Sequence, residues 1–117
     1  MSNDFETARM TCAVNDPGSE HWSEDSFVGR LTEQATFDEG LFAELERAIV
    51  TVAKASPGAE AVWALLRILE RVTLLTGAHL DPRDVYRIGN LDDERVADFN
   101  NHFRFTLREL SLQTQAG

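Results

Sequence analysis

Residues 59–76 read AEAVWALLRILERVTLLT. Val62, Trp63, Leu65, Leu66, Ile68, Leu69, Val72, Leu74 and Leu75 are apolar, with Ala59, Ala61 and Ala64 as small spacers. On a helix, Glu60, Arg67 and Arg71 fall on one narrow strip. So little polar surface predicts a helix covered on most of its sides. The charges at Glu60, Arg67, Glu70 and Arg71 argue against a membrane span. The stretch therefore predicts an all-α fold: a compact bundle of three main helices and one or two short ones, wrapped around this central helix. Ser56 is the predicted N-cap, Pro57 suits the first helical position, and Gly77 is placed to close the helix in the left-handed conformation.

Working outward, the short link before residue 59 predicts that the preceding helix is an antiparallel neighbour. That helix starts at Thr36-Phe37-Asp38-Glu39, which has the capping-box pattern with Thr36 as cap, and runs to about Ala55. Leu41, Leu45, Ala48, Ile49 and Val52 share its apolar face. After Gly77, Asp81-Pro82 repeats the cap-plus-proline start and predicts one or two helical turns over Arg83–Ile88, ended by Gly89-Asn90. The last helix runs from Leu91 or Asp92 to about Leu112. Val96, Phe99, Phe103, Leu107 and Leu110 keep helical spacing, and Asp92, Asp93 and Glu94 lie where negative charge suits the helix dipole. Phe105 is offset by about 200° from Phe103. It either packs on another segment or stands exposed as an anchor. Residues 113–117 are expected to fray.

The amino-terminal side is less regular. Residues 1–20 end at the turn signal Asn15-Asp16-Pro17-Gly18 and read as an arm attached loosely to a single domain over 1–117. Arg9–Val14 is compatible with a strand, a helical turn or an ordered arm. In Phe27-Val28-Gly29-Arg30-Leu31, the glycine marks a tight approach or a broken short helix. Trp22, Phe27, Val28 and Leu31 are available for packing.

With 117 residues, 20 acids and 11 Lys or Arg, the chain carries a formal charge of −9. That balance speaks against nucleic acid and anionic membrane as ligands, since both need cationic side chains. It favours a basic protein partner or simple solubility. One cysteine, Cys12, excludes an internal disulfide. It sits among small apolar residues with no His or Lys near it in sequence, the setting of a buried, inert thiol. MSNDFETARM lacks a basic segment followed by an apolar run, so a cytoplasmic location is expected.

No cofactor, metal or catalytic motif emerges. GxSxG, Walker and GxGxxG patterns are absent, and His21, His79 and His102 have no paired ligand spacing. His21 lies near Glu20, Glu24 and Asp25, an arrangement more typical of a solvated histidine than of a metal site. His79 is placed in a loop where helix-end carbonyls are the default partners, and His102 on the surface or in packing. A spatially assembled triad would leave no sequence trace, so a small helical enzyme stays among the alternatives.

The charge distribution is more informative. Nine acids between Asp16 and Glu46 face one base, Arg30, leaving −8 in that segment. Glu20, Glu24, Asp25, Glu33, Asp38 and Glu39, interleaved with Trp22, Phe27 and Phe37, are the candidate partner-binding set, with Trp22 or an exposed Phe as anchor. Charge there would steer encounter with a basic protein and raise the association rate. The competing reading is a solvated acidic surface.

The segment Asp25-Ser26-Phe27-Val28-Gly29-Arg30-Leu31-Thr32-Glu33, with Phe37-Asp38-Glu39, the Arg67-Ile68-Leu69 helix and the stretch Gly77–Pro82, resembles small helical immunity proteins. These belong to bacterial polymorphic-toxin and contact-dependent growth-inhibition systems. The resemblance spans roughly residues 25–110. It implies a cytosolic antidote, without catalysis of its own, that binds the C-terminal toxin domain delivered by a neighbouring cell. No binding residue carries over by motif. A basic nuclease toxin would suit the acidic segment, and a monomer suits the apolar content. An acidic inhibitor or adaptor, such as a nucleic-acid mimic or a secretion chaperone, is the alternative.

Overall fold

In the computed structural model, which describes residues 3–55 and 58–116 (with no side-chain account of residues 3 and 106–116), the chain forms five helices. They are α1 (Asn3–Asn15), α2 (Phe27–Glu33), α3 (Glu39–Lys54), α4 (Ala59–Leu80) and α5 (Asp93–Ala116). The described residues contain no strand, and none of their helices is long and apolar enough to cross a membrane.

Residues 3–15 are helical, and α1 is the principal neighbour of α3. Its buried side chains are Ala8 and Cys12, too small to give a strong amphipathic signal, followed by Asn15 at its end. Asn15 ties α1 to α2: its Oδ1 accepts the Val28 amide at 2.9 Å, while its Nδ2 donates to Thr11 O. The Cys12 thiol is buried and its pKa is pushed up to about 12, by desolvation first and by the charge of Asp16 second. We expect Cys12 to react very slowly with an aromatic disulfide reagent at pH 8 in the native protein, and promptly in urea. Fast native reaction would mean that α1 opens readily.

Because α1 occupies the face of α3, the expected α3–α4 antiparallel pairing is not the main contact of either helix. α4 packs chiefly on α5 and also meets α1 and α2. The predicted caps Ser56 and Pro57 lie outside the described residues, and Gly58 is the N-cap of α4. At α3 the cap is Asp38 rather than Thr36, with Asp38 Oδ1 accepting the Leu41 amide at 3.0 Å. Thr36 instead donates to Gln34 O. The α3 face is as read: Leu45, Ala48, Ile49 and Val52 are buried, with Leu41 packed at the edge.

Gly77 does not close α4, which runs to Leu80 with Thr76 and His79 among its own buried residues. Thr76 Oγ1 donates to Val72 O and lies 3.2 Å from Asn100 Oδ1 on α5. Pro82 sets the end, because it forces the preceding residue out of the helical region, and Asp81 is extended at ψ 114°. Residues 83–88 are likewise not helical. The carboxylates of Asp81 and Asp84 accept the amides of Arg83 and Tyr86, local bonds that compete with helix formation. The loop is fixed instead by His79, which is buried within α4 and does not use helix-end carbonyls. Its Nδ1 accepts the Ile88 amide at 2.8 Å, so Nε2 carries the proton and donates to Asp93 at 2.8 Å. Asn90 exchanges two hydrogen bonds with the backbone of Phe37, and Gly89 donates to Ala35 O. Ala35 adopts φ 50°, a left-handed turn that no glycine announced.

α5 begins behind Asp92, whose Oδ1 accepts the Arg95 amide. Val96, Phe99 and Phe103 enter the core as expected, and the helical backbone continues past Leu112. Leu107 and Leu110 are among the residues whose side chains are not described.

Candidate docking surface

The loop between α1 and α2 carries most of the candidate acidic set. It turns on itself through Ser19 N to Asp16 O, Trp22 N to Ser19 O and Ser23 N to Val14 O, the last at 2.9 Å. Ser26 then caps α2 by accepting the Gly29 amide at 2.9 Å. The effect is to leave Glu20, Glu24 and Asp25 exposed, with Glu33 exposed at the end of α2 and Glu39 at the start of α3. Among the described residues no cation lies within ion-pair distance of Glu24, Asp25, Glu33 or Glu39. Glu20 has only His21, at 3.7 Å.

Other members of the acidic segment are already engaged within the fold. Trp22 is half-buried and packed against the core, so it is not a free anchor. Phe27 is fully buried and Phe37 partly so. Asp38 is the α3 cap. Asp16 is fully buried: Arg67 donates to both of its oxygens, at 2.8 and 2.7 Å, and the Gly18 amide donates to Oδ1. This pair holds the guanidinium pKa above its ordinary value, chiefly through the hydrogen bond to Asp16. Arg71 donates to Thr32 Oγ1 at 3.3 Å. The polar strip of α4 is thus directed at the loop and α2.

The unforeseen surface is on α4 itself. The helix buries Ile68, Val72, Thr76 and His79 on one side and sends Arg67 and Arg71 along a second. Its third side is open. Val62, Trp63, Leu66, Leu74 and Leu80 are exposed, Trp63 to 60% and Leu74 to 63%. At ~100° per residue they fall within an arc of about 120° that runs the length of the helix, some 30 Å. Gly77 lies on the same arc, and a Cβ there would meet nothing within 4 Å. Glu70 is its single charged residue. Exposed Thr73 also falls on the arc, so the apolar side chains form a stripe interrupted at Glu70, Thr73 and Gly77. Contrary to what its apolar richness predicts, the helix is therefore not covered on most of its sides: one side is core and another is bare.

Two smaller features stand apart. Phe105 is exposed to 62% on α5, opposite the side of Val96 and Phe103 that enters the core. An open hollow beside the α5 start is lined by Phe37, Glu39, Asn90, Leu91, Arg95 and Asp98. It brings only Glu39 of the candidate set together with other charges. His102 bonds Glu46 at 2.6 Å, joining α5 to α3. Among the described residues no three His, Cys, Asp or Glu side chains are arranged to hold a metal ion.

Comparison with known proteins adds no assignment: no family model matches the chain, and no curated protein or solved structure does.

Proposed function

We propose that this protein is a non-catalytic binding module that docks one protein partner on the open face of α4, while the acidic loop steers the encounter. The observation that carries this reading is the bare stripe Val62, Trp63, Leu66, Leu74 and Leu80. Burying it removes apolar area from water at roughly 25 cal/mol per Å². Trp63 is the natural hot spot, since large aromatic side chains dominate interface energetics. The exposed carboxylates of Glu20, Glu24, Asp25 and Glu33 add long-range attraction for a basic surface and act mainly on the association rate.

Within this class, a cytoplasmic immunity protein that occludes a basic toxin domain is the reading supported by the charge and by the resemblance over roughly residues 25–110. A nuclease is the suitable kind of toxin, because its phosphate-binding cleft is cationic. An acidic adaptor with several basic clients is the competing reading.

The test is capture from a lysate of the organism that makes the protein, washed at low and at high salt and read by mass spectrometry. Wild type is compared with Leu66→Glu and with a triple reversal, Glu20→Lys, Glu24→Lys and Asp25→Lys. We expect one partner, held through its C-terminal region at high salt and lost with Leu66→Glu. The triple reversal should slow association about tenfold at low salt and much less at high salt. A spread of basic proteins that leave at high salt, indifferent to Leu66→Glu, would reduce the protein to a solvated acidic domain.

A further inference from the structure

We propose that the occupant of the α4 stripe is an amphipathic helix of the partner that presents a Lys or Arg to Glu70. This inference rests on the docking reading above and adds the chemistry of what docks.

The shape of the stripe comes first. It follows a single helix from Val62 to Leu80, about five turns, with all five of its apolar side chains on one arc. Such a surface is matched by the ridges of another helix set into its grooves. Gly77 leaves a gap in the ridge with open space above it, room for a partner side chain to enter.

Charge then narrows the occupant. Glu70 sits in the middle of the stripe, between Leu66 and Leu74. Its two nearest arginines along the helix are committed elsewhere, Arg67 to the buried Asp16 and Arg71 to Thr32. Among the described residues nothing pairs with Glu70, so any occupant that desolvates it must bring a cation or leave a buried carboxylate uncompensated. A second copy of this chain brings the same stripe, with Glu70 as its one charged residue, and a net charge of −9. Self-pairing would bury a second uncompensated carboxylate and set two anions against each other. An anionic membrane is disfavoured on the same ground. A basic helix satisfies both the apolar face and Glu70.

The test uses the full-length chain and two synthetic 18-residue helical peptides. Both carry leucines at i, i+3, i+4 and i+7 spacing; one is flanked by lysines and the other by glutamates. Trp63 is the reporter: its emission should shift to shorter wavelength on binding, and the shift should vanish in Trp63→Phe. We expect the lysine peptide to bind about tenfold or more tightly than the glutamate peptide at low salt. Glu70→Lys should cut that preference by about threefold or more, and Leu66→Glu should weaken the lysine peptide about tenfold. Circular dichroism of Leu66→Glu should match wild type, because Leu66 is exposed.

Equal binding of the two peptides, or a preference untouched by Glu70→Lys, would overturn the role given to Glu70. A concentration-dependent dimer in sedimentation that Leu66→Glu abolishes would assign the stripe to a second copy and overturn the proposal. So would a Trp63 shift on phosphatidylserine vesicles with none on the lysine peptide. If neither peptide binds while Leu66→Glu still loses the captured partner, the basic helix is wrong and docking on α4 stands. If partner capture ignores Leu66→Glu, both fail.

Discussion

Replacing Gly29 with alanine is expected to destabilise the fold by about 3 kcal/mol, the upper range for forcing an atom into a packed site. A Cβ at Gly29 would sit 2.1 Å from Ser23 O and 2.7 Å from both Cα and C of Glu24. These are backbone atoms, so no rotamer change relieves the contact. The backbone they belong to is itself pinned, by Ser23 N to Val14 O and by Ser26 Oγ, which donates to Ser23 O at 2.8 Å. Relief requires the loop carrying Glu20, Glu24 and Asp25 to lift from α2. Urea unfolding followed by circular dichroism measures the cost, and a drop in Tm on the order of 10 °C should accompany it. Gly77→Ala is the control of opposite sign. Its Cβ meets nothing, it lies inside α4, and it should stabilise by up to about 1 kcal/mol. A neutral Gly29→Ala would mean that the acidic loop does not rest on α2 as described.

At Gly29 the sequence leaves a tight approach and a broken short helix open; the Ser23 and Glu24 backbone, packed where a Cβ would stand, decides for the first. The apolar face of α3 was legible because large residues at helical spacing beside charged ones define a side. Where the chain departs from its sequence reading, the deciding atoms are distant in sequence. Gly77 looked like a helix end, yet Thr76 and His79 on either side of it are buried side chains of α4, bonded to Asn100, Asp93 and Ile88. Pro82, not the glycine, then sets the boundary. α1 was obscure because its packing side chains are small. Residues 83–88 looked helical because the competing Asx bonds at Asp81 and Asp84 offer a start signal of the same composition.

The candidate site divides along the same line. Charge alone correctly placed Glu20, Glu24, Asp25, Glu33 and Glu39 at the surface, because a carboxylate without a partner stays in water. Asp38 is engaged as the α3 cap, and Asp16, which the sequence marks only as a turn residue, is buried because Arg67 reaches it from 51 residues away. Of the two uses open to Trp22, packing and anchoring, the structure shows the first. The α4 stripe could not be read at all. In a helix apolar on nearly every side, the sequence does not mark which side the rest of the chain will leave uncovered, and α1, α2 and α5 together cover only one part of it.

The same division separates the aromatic residues, and Phe27→Ala should show it with the largest effect of any single truncation. Phe27 is 1% exposed and its ring meets three others: Phe37 at 5.3 Å edge-on, Phe42 at 5.3 Å and Phe99 at 6.1 Å. It therefore joins α2, the segment before α3, α3 itself and α5 at one point. Removing the ring deletes its transfer energy and leaves a cavity walled by rings that hold one another, Phe42 and Phe99 at 4.8 Å and Phe37 and Phe99 at 5.0 Å. Those walls resist collapse, so the loss should fall near the top of the usual range, about 4 kcal/mol. Against a total stability of roughly 5–15 kcal/mol, that leaves little margin at 37 °C. Phe105→Ala, by contrast, should change stability by about 0.5 kcal/mol or less, because its ring faces solvent. Equilibrium urea unfolding of the two variants decides the point, and a Phe27→Ala cost under about 1 kcal/mol would contradict the ring cluster. Phe27 directly follows the acidic loop and its cap Ser26. Loss of the ring should therefore loosen Glu20, Glu24 and Asp25 as well, whereas Leu66→Glu alters α4 alone. A binding defect in Leu66→Glu with its fold intact would therefore locate the partner on α4, whereas one in Phe27→Ala counts only at a temperature where that variant is shown to be folded.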